Sequence, residues 1–70
     1  MSQSPAYIRA LVCCWHAEEH YASDSPEIAW SLVMEAVRLS VDEMPDIYEA
    51  LDITTRTNKI LLEGLSQCDR

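Results

Sequence analysis

The sequence predicts an all-α chain, a small bundle of three helices (four if the last splits near residues 52–54) that works as a dimer. Three observations carry this. Apolar residues recur at helical spacing through most of the chain, and no alternating apolar–polar run outweighs them. Three prolines, Pro5, Pro26 and Pro45, divide the chain into stretches of helical length, and there is a single glycine, Gly64. Of the 70 residues 49% are hydrophobic, yet a domain of this size buries only about 60% of the surface of its unfolded chain. Apolar surface left outside marks an interface.

The first helix spans about residues 5–22. Ser4 offers a capping hydroxyl and Pro5 suits the first helical position. Tyr7, Leu11 and Cys14, flanked by Ile8, Val12 and Trp15, form a broad apolar stripe. Ser23, Asp24 and Ser25 make a short turn, and Ser25-Pro26 repeats the capping device. The second helix spans about residues 26–43. Its polar residues trace one line, Glu27, Ser31, Glu35, Arg38 and Asp42, along which Glu35–Arg38 and Arg38–Asp42 can pair. The rest of its circumference is apolar. Two other short helices hardly cover it, which points to a dimer interface at Trp30, Val33, Met34 and Val37.

Met44-Pro45 breaks the chain, because proline disfavours a helical residue before it. A third helix spans about residues 46–66. Ile47, Leu51, Leu61 and Leu65 share a face with Thr54 and Asn58 between them. This helix either runs through with a polar middle or breaks at 52–54, where Thr54 can cap a fresh start. Gly64 and the polar tail 66–70 mark its fraying end. Tyr7, Trp15, Tyr21, Trp30 and Tyr48 stand at core spacing, with Trp30 and Tyr48 also suited to an interface.

Net charge is -7 and unevenly placed. Residues 1–24 carry one base and three acids, residues 25–52 one base and seven acids, and residues 53–70 three bases and two acids. An acidic body opposes general attraction to nucleic acid and anionic membranes, and favours a basic partner. The run Glu35, Asp42, Glu43, Asp46, Glu49 and Asp52 is the candidate docking surface.

The cysteines, Cys13, Cys14 and Cys68, are odd in number and two are adjacent, which fits reduced thiols in the cytoplasm better than a disulfide framework. The apolar run from Ala6 to Trp15 is short and broken by Arg9, so neither a signal peptide nor a membrane span is expected. His16 and His20 share a helical face with Cys13 one turn earlier, a spacing that can hold zinc. His16-Ala17-Glu18-Glu19-His20 also resembles the inverted zinc-protease pattern H-x-x-E-H, whose domains are much larger and supply a further ligand and a cleft. Two surface histidines are the plainer reading, and no cofactor is expected.

Residues 46–65, through Ile47-Tyr48-Glu49-Ala50-Leu51-Asp52-Ile53-Thr54-Thr55-Arg56-Thr57, resemble a helix-turn-helix segment of bacterial response-regulator and Fis-type DNA-binding proteins. The resemblance implies a positioning helix at 46–51, a turn at 52–54 and a recognition helix from Thr55. Thr55, Arg56, Thr57 and Lys59 then face the groove. The sequence departs from that pattern at Tyr48, where the family has a small residue, at Asp52, where it has glycine, and at Asn58, where it has an apolar anchor.

Function is expected from contact and not from catalysis. The first expectation is a small acidic regulatory or inhibitory homodimer that occludes a basic protein surface such as a DNA-binding domain. Small accessory and phage-type proteins often act in this way, by analogy of fold alone. The alternative is a DNA-binding transcriptional regulator using residues 46–65, the only reading that requires nucleic acid.

Overall fold

The computed structural model describes residues 4–68, with side chains through residue 64. It contains three helices, α1 (Pro5–Ala22), α2 (Pro26–Asp42) and α3 (Ile47–Cys68). α3 runs unbroken through residues 52–54, so the four-helix alternative does not arise.

Ser4 starts α1 as expected, its Oγ accepting from the Tyr7 N–H at 3.2 Å. Ser25 does not repeat the device. It makes no side-chain capping bond, and only its carbonyl serves α2, accepting from Ala29 N at 3.1 Å. Pro26, with φ preset, suffices to begin the helix. Between the two helices, Ser25 N donates to His20 O at 2.7 Å and Asp24 N donates to Tyr21 O at 3.2 Å. That pair of bonds is a Schellman closure, with Asp24 at φ 63 in the left-handed position that glycine usually holds. Asp46 lies outside α3 and caps it, its Oδ1 accepting from Tyr48 N at 2.9 Å.

α3 tolerates its polar middle because its threonines bond to their own helix. Thr54 donates to Ala50 O at 2.9 Å, Thr55 to Leu51 O at 3.0 Å and Thr57 to Thr54 O at 3.0 Å. With its hydroxyl satisfied, Thr57 enters the core at 2% exposure.

Contacts between the helices set an up-down-up arrangement. Ser4 and Tyr7 at the start of α1 reach Glu49 and Asp52 at the start of α3, so those helices run parallel. Arg9 of α1 approaches Glu43 at the end of α2, which runs the other way. At the far end the Tyr21 ring lies against Gly64. The body is slender, with extents of 42 × 19 × 15 Å.

The interior mixes alanines with a few larger side chains. Ala10, Ala17, Ala29 and Ala36 are wholly buried, as are Val33, Leu39 and Ile53. Alanines at the contact let helix axes approach closely. α3 turns inward a face different from the expected one. Ile53, Thr57, Ile60 and Gly64 are buried, whereas Ile47 and Leu51 are exposed and Leu61 packs only partly on the core. The side chain of Leu65 lies outside the described residues. Gly64 is no fraying end: it sits inside the helix, where a Cβ would come within 2.5 Å of the Tyr21 ring. Among the aromatics only Tyr7 is buried and Tyr21 half-buried, while Trp15, Trp30 and Tyr48 are exposed, against the core placement expected of each.

Candidate functional site

Many large apolar side chains stand outside, around an interior in which alanines are prominent. Ile8, Val12 and Trp15 on α1, Ile28, Trp30, Met34 and Val41 on α2, and Ile47, Tyr48, Leu51 and Leu62 on α3 are all exposed. Both tryptophans lie on the surface, at 58% and 52% exposure, while alanines fill much of the interior. Exposing single apolar residues is ordinary, but stripes of them along helices mark a contact surface. Of the expected dimer residues, Trp30 and Met34 stand outside and Val37 is half-buried. Val33 is wholly buried within the chain and is not available to a partner.

The six expected docking acids divide into two groups. Five are engaged within the chain, Asp46 through the cap it gives Tyr48 N, and Asp42 alone is not. Glu49 Oε1 accepts from Ser4 Oγ at 2.8 Å, and its Oε2 accepts from Ser4 N at 3.4 Å. Asp52 Oδ2 accepts from the Tyr7 hydroxyl at 2.6 Å and from Arg56 Nε at 2.8 Å. Those two bonds, the tyrosine's first, hold the Asp52 carboxyl below its ordinary range. Arg38 grips Glu35 at 2.7 Å and Glu43 at 3.1 Å, so its second partner is Glu43 and not the expected Asp42. Asp42 and Asp46 make no salt bridge among the described residues.

Asp42, Glu43 and Asp46 are all exposed where α2 ends and α3 begins, and the last turn of α2 holds no basic residue. Carboxylates at a helix C terminus stand against its dipole, at a cost of about 0.3–1 kcal/mol each at low salt. Asp42 and Glu43 therefore stand against the dipole of α2, whereas Asp46 caps the N terminus of α3, where the dipole favours a carboxylate.

Arg56 and Lys59 flank a cleft of about 500 Å³ between α1 and α3, with Leu11, Cys14, Trp15, Glu18, Thr55 and Ile60. Burial pushes the Cys14 thiol up to about 11. Thr55, Arg56 and Lys59 are exposed, but Thr57 is buried and unable to reach a base edge. No turn separates a positioning helix from a recognition helix, since 52–54 are helical. The three departures from the helix-turn-helix pattern have no packing consequence here, because Tyr48 and Asn58 are exposed and Asp52 lies within the helix.

No protein-family model, curated protein or solved structure matches this chain. His16 stacks on Trp15 with ring centroids 5.3 Å apart. Among the described residues, no three His, Cys, Asp or Glu side chains group closely enough to hold a metal ion, and that includes Cys13, His16 and His20. Nor is any helix of the described residues long and apolar enough to cross a membrane.

Sequence reasoning missed that large apolar residues of α1 and α3 lie on their outer faces. The available signal was the set of alanines at heptad-like intervals, Ala10 with Ala17 and Ala29 with Ala36, which marks the true inner faces and leaves the large residues outside.

Proposed function

We propose that the protein acts by contact and performs no chemistry of its own. It is a small acidic helical regulator or inhibitor, dimeric in its working form, that docks on a basic protein surface and occludes it. The observation that carries this reading is that, among the described residues, eleven large hydrophobic residues are exposed around an alanine-rich interior. Stability is given up inside and apolar surface is kept outside, a distribution suited to binding. The acidic corner of Asp42, Glu43 and Asp46 supports a basic partner, since charge of one sign at a helix end steers the opposite sign to it.

DNA binding through Thr55, Arg56, Thr57 and Lys59 is the second reading, favoured by the exposure of Arg56 and Lys59 beside one cleft. It has less support, because Arg56 is paired with Asp52 and Thr57 is buried.

One pair of titrations separates the two. A labelled Lys/Arg-rich peptide and a labelled mixed-sequence DNA duplex are each titrated at low salt and followed by anisotropy. The expected result is peptide binding that weakens as salt rises and is lost in Asp42→Lys/Asp46→Lys, with no binding of the duplex. Duplex binding lost in Arg56→Ala/Lys59→Ala would reverse the order of the readings.

A further inference from the structure

The outer face of α3 has a pattern that fits itself. Tyr48, Leu51, Thr55, Asn58 and Leu62 follow one another at alternating steps of three and four residues, the spacing of a coiled-coil seam. All five are exposed, with Tyr48 at 79% and Leu62 at 68%. None is charged. The charged residues of α3, Glu49, Asp52, Arg56, Lys59 and Glu63, keep to a separate stripe, and Glu49 and Asp52 turn it toward α1 through Ser4 and Tyr7.

The seam is also palindromic in character. Leu51 and Leu62 stand equally far on either side of the point between Arg56 and Thr57, and Thr55 and Asn58 do the same closer in. Apolar residues lie at both ends and uncharged polar residues in the middle. Such a face is self-complementary under a two-fold axis that sets two helices antiparallel, the isologous contact of a closed dimer.

We propose that this face of α3 binds a second copy of the same chain, antiparallel, with the two-fold axis between Arg56 and Thr57. This deepens the contact reading above and rests on it. Leu51 of each copy meets Leu62 of the other, and Thr55 meets Asn58. The atoms suit that meeting. Thr55 Oγ1 spends its proton on Leu51 O, leaving lone pairs to accept from the Asn58 amide, which makes no hydrogen bond among the described residues. A polar pair within an apolar seam fixes register at some cost in stability. On the flank, Lys59, which makes no salt bridge among the described residues, passes Asp52 of the other copy.

The seam carries no charge that would draw a basic partner, and two copies, each at -7, keep their mutual repulsion lowest by meeting there. A basic partner is drawn instead to the corner at Asp42 and Asp46.

The test uses the full chain in sedimentation equilibrium, with circular dichroism to verify folding of each variant. Every substitution lies at an exposed position. Leu51→Lys/Leu62→Lys is expected to weaken dimerisation at least tenfold, while Trp30→Lys/Met34→Lys leaves it within about twofold. Thr55→Asp/Asn58→Lys places opposite charges together across the antiparallel seam and is expected to dimerise. Thr55→Asp/Asn58→Asp places like charges together and is expected to be monomeric. In a parallel pairing both would meet their own kind and both would fail. Equal behaviour of the two charge variants overturns the antiparallel register. Loss of the dimer in the α2 variant alone overturns the α3 seam and moves the interface to Trp30 and Met34. A wild-type monomer overturns the inference outright, while binding of the basic peptide is judged separately and can survive any of these results.

Discussion

The Tyr7 hydroxyl donates to Asp52 Oδ2 at 2.6 Å and so ties the first turn of α1 to the second turn of α3. Arg56 Nε donates to the same oxygen at 2.8 Å. A hydrogen bond to a charged group is worth about 1.5–3 kcal/mol, and the partial exposure of Asp52 brings this to about 1 kcal/mol. Tyr7→Phe is expected to lose about that amount in urea unfolding. The pH dependence follows from both partners. Asp52 lies below its ordinary 3.8, so the stability it contributes is present above that value and is lost as pH falls through the lowered pKa. Tyr7 lies above its ordinary 10.0, chiefly because Asp52 accepts its proton, so its contribution is present below 10.0 and is lost as pH rises through the raised pKa. Tyr7→Phe should flatten both limbs. A wild-type profile that Tyr7→Phe leaves unchanged counts against the bond.

Gly64→Ala should destabilise the protein, although alanine is ordinarily better than glycine inside a helix by about 1 kcal/mol. A Cβ at residue 64 meets Tyr21 ring atoms at 2.5, 2.6 and 2.9 Å, so the ring must move. A loss of about 1–3 kcal/mol is expected, as for overpacking elsewhere. In a Tyr21→Ala background the same substitution should become stabilising. Thermal melts of the four proteins of this cycle check the sign, and a stabilising Gly64→Ala in the native background contradicts the close approach.

Ala29 and Ala36 are wholly buried where α2 enters the core. Ala29→Leu or Ala36→Leu should each cost about 1–3 kcal/mol by overpacking. Ile28→Ala, at an exposed position, should stay within about 0.5 kcal/mol of wild type. Denaturant unfolding of these variants tests directly that these alanines lie inside and Ile28 outside, since the reverse placement would give the opposite ranking.

Cys14, with its thiol pushed up to about 11 by burial, should alkylate far more slowly than an unperturbed thiol at neutral pH. Cys13 is half-buried and raised for the same principal reason, so it should react at an intermediate rate. Iodoacetamide labelling followed by fragment mass spectrometry distinguishes the two. Fast modification of Cys14 in the folded protein would mean that the α1–α3 cleft opens.

Much of the fold was legible in the residues themselves. Ser4-Pro5, Pro26 and Met44-Pro45 write helix boundaries into the chain, because a proline acts locally and needs no tertiary context. The inner faces were harder to read. Ranking faces by their large apolar residues puts Ile47 and Leu51 inside, yet closely packed helices want alanine, glycine and back-bonded threonine at the contact. The polar line of α2 was visible at four-residue steps, but the choice of Glu43 over Asp42 by Arg38 depends on how the helix ends. Glu49 and Asp52 read as docking acids because their partners, Ser4 and Tyr7, lie 45 residues away in sequence. Of that run only Asp42 has neither a salt bridge nor a side-chain hydrogen bond among the described residues, Asp46 being spent on the cap of α3 and Glu49 on Ser4.

Whether the exposed apolar stripes are completed by a second copy is tested most directly by the melting temperature as a function of protein concentration. Dimerisation stabilises the folded state by mass action, so the midpoint depends on concentration only if folding and association are linked. The expected result is a melting temperature that rises steadily over two decades of concentration in wild type and is flat in Leu51→Lys/Leu62→Lys. A wild-type melting temperature independent of concentration, with a monomer's mass throughout, would contradict the central claim that large apolar side chains were placed outside for a partner copy to cover.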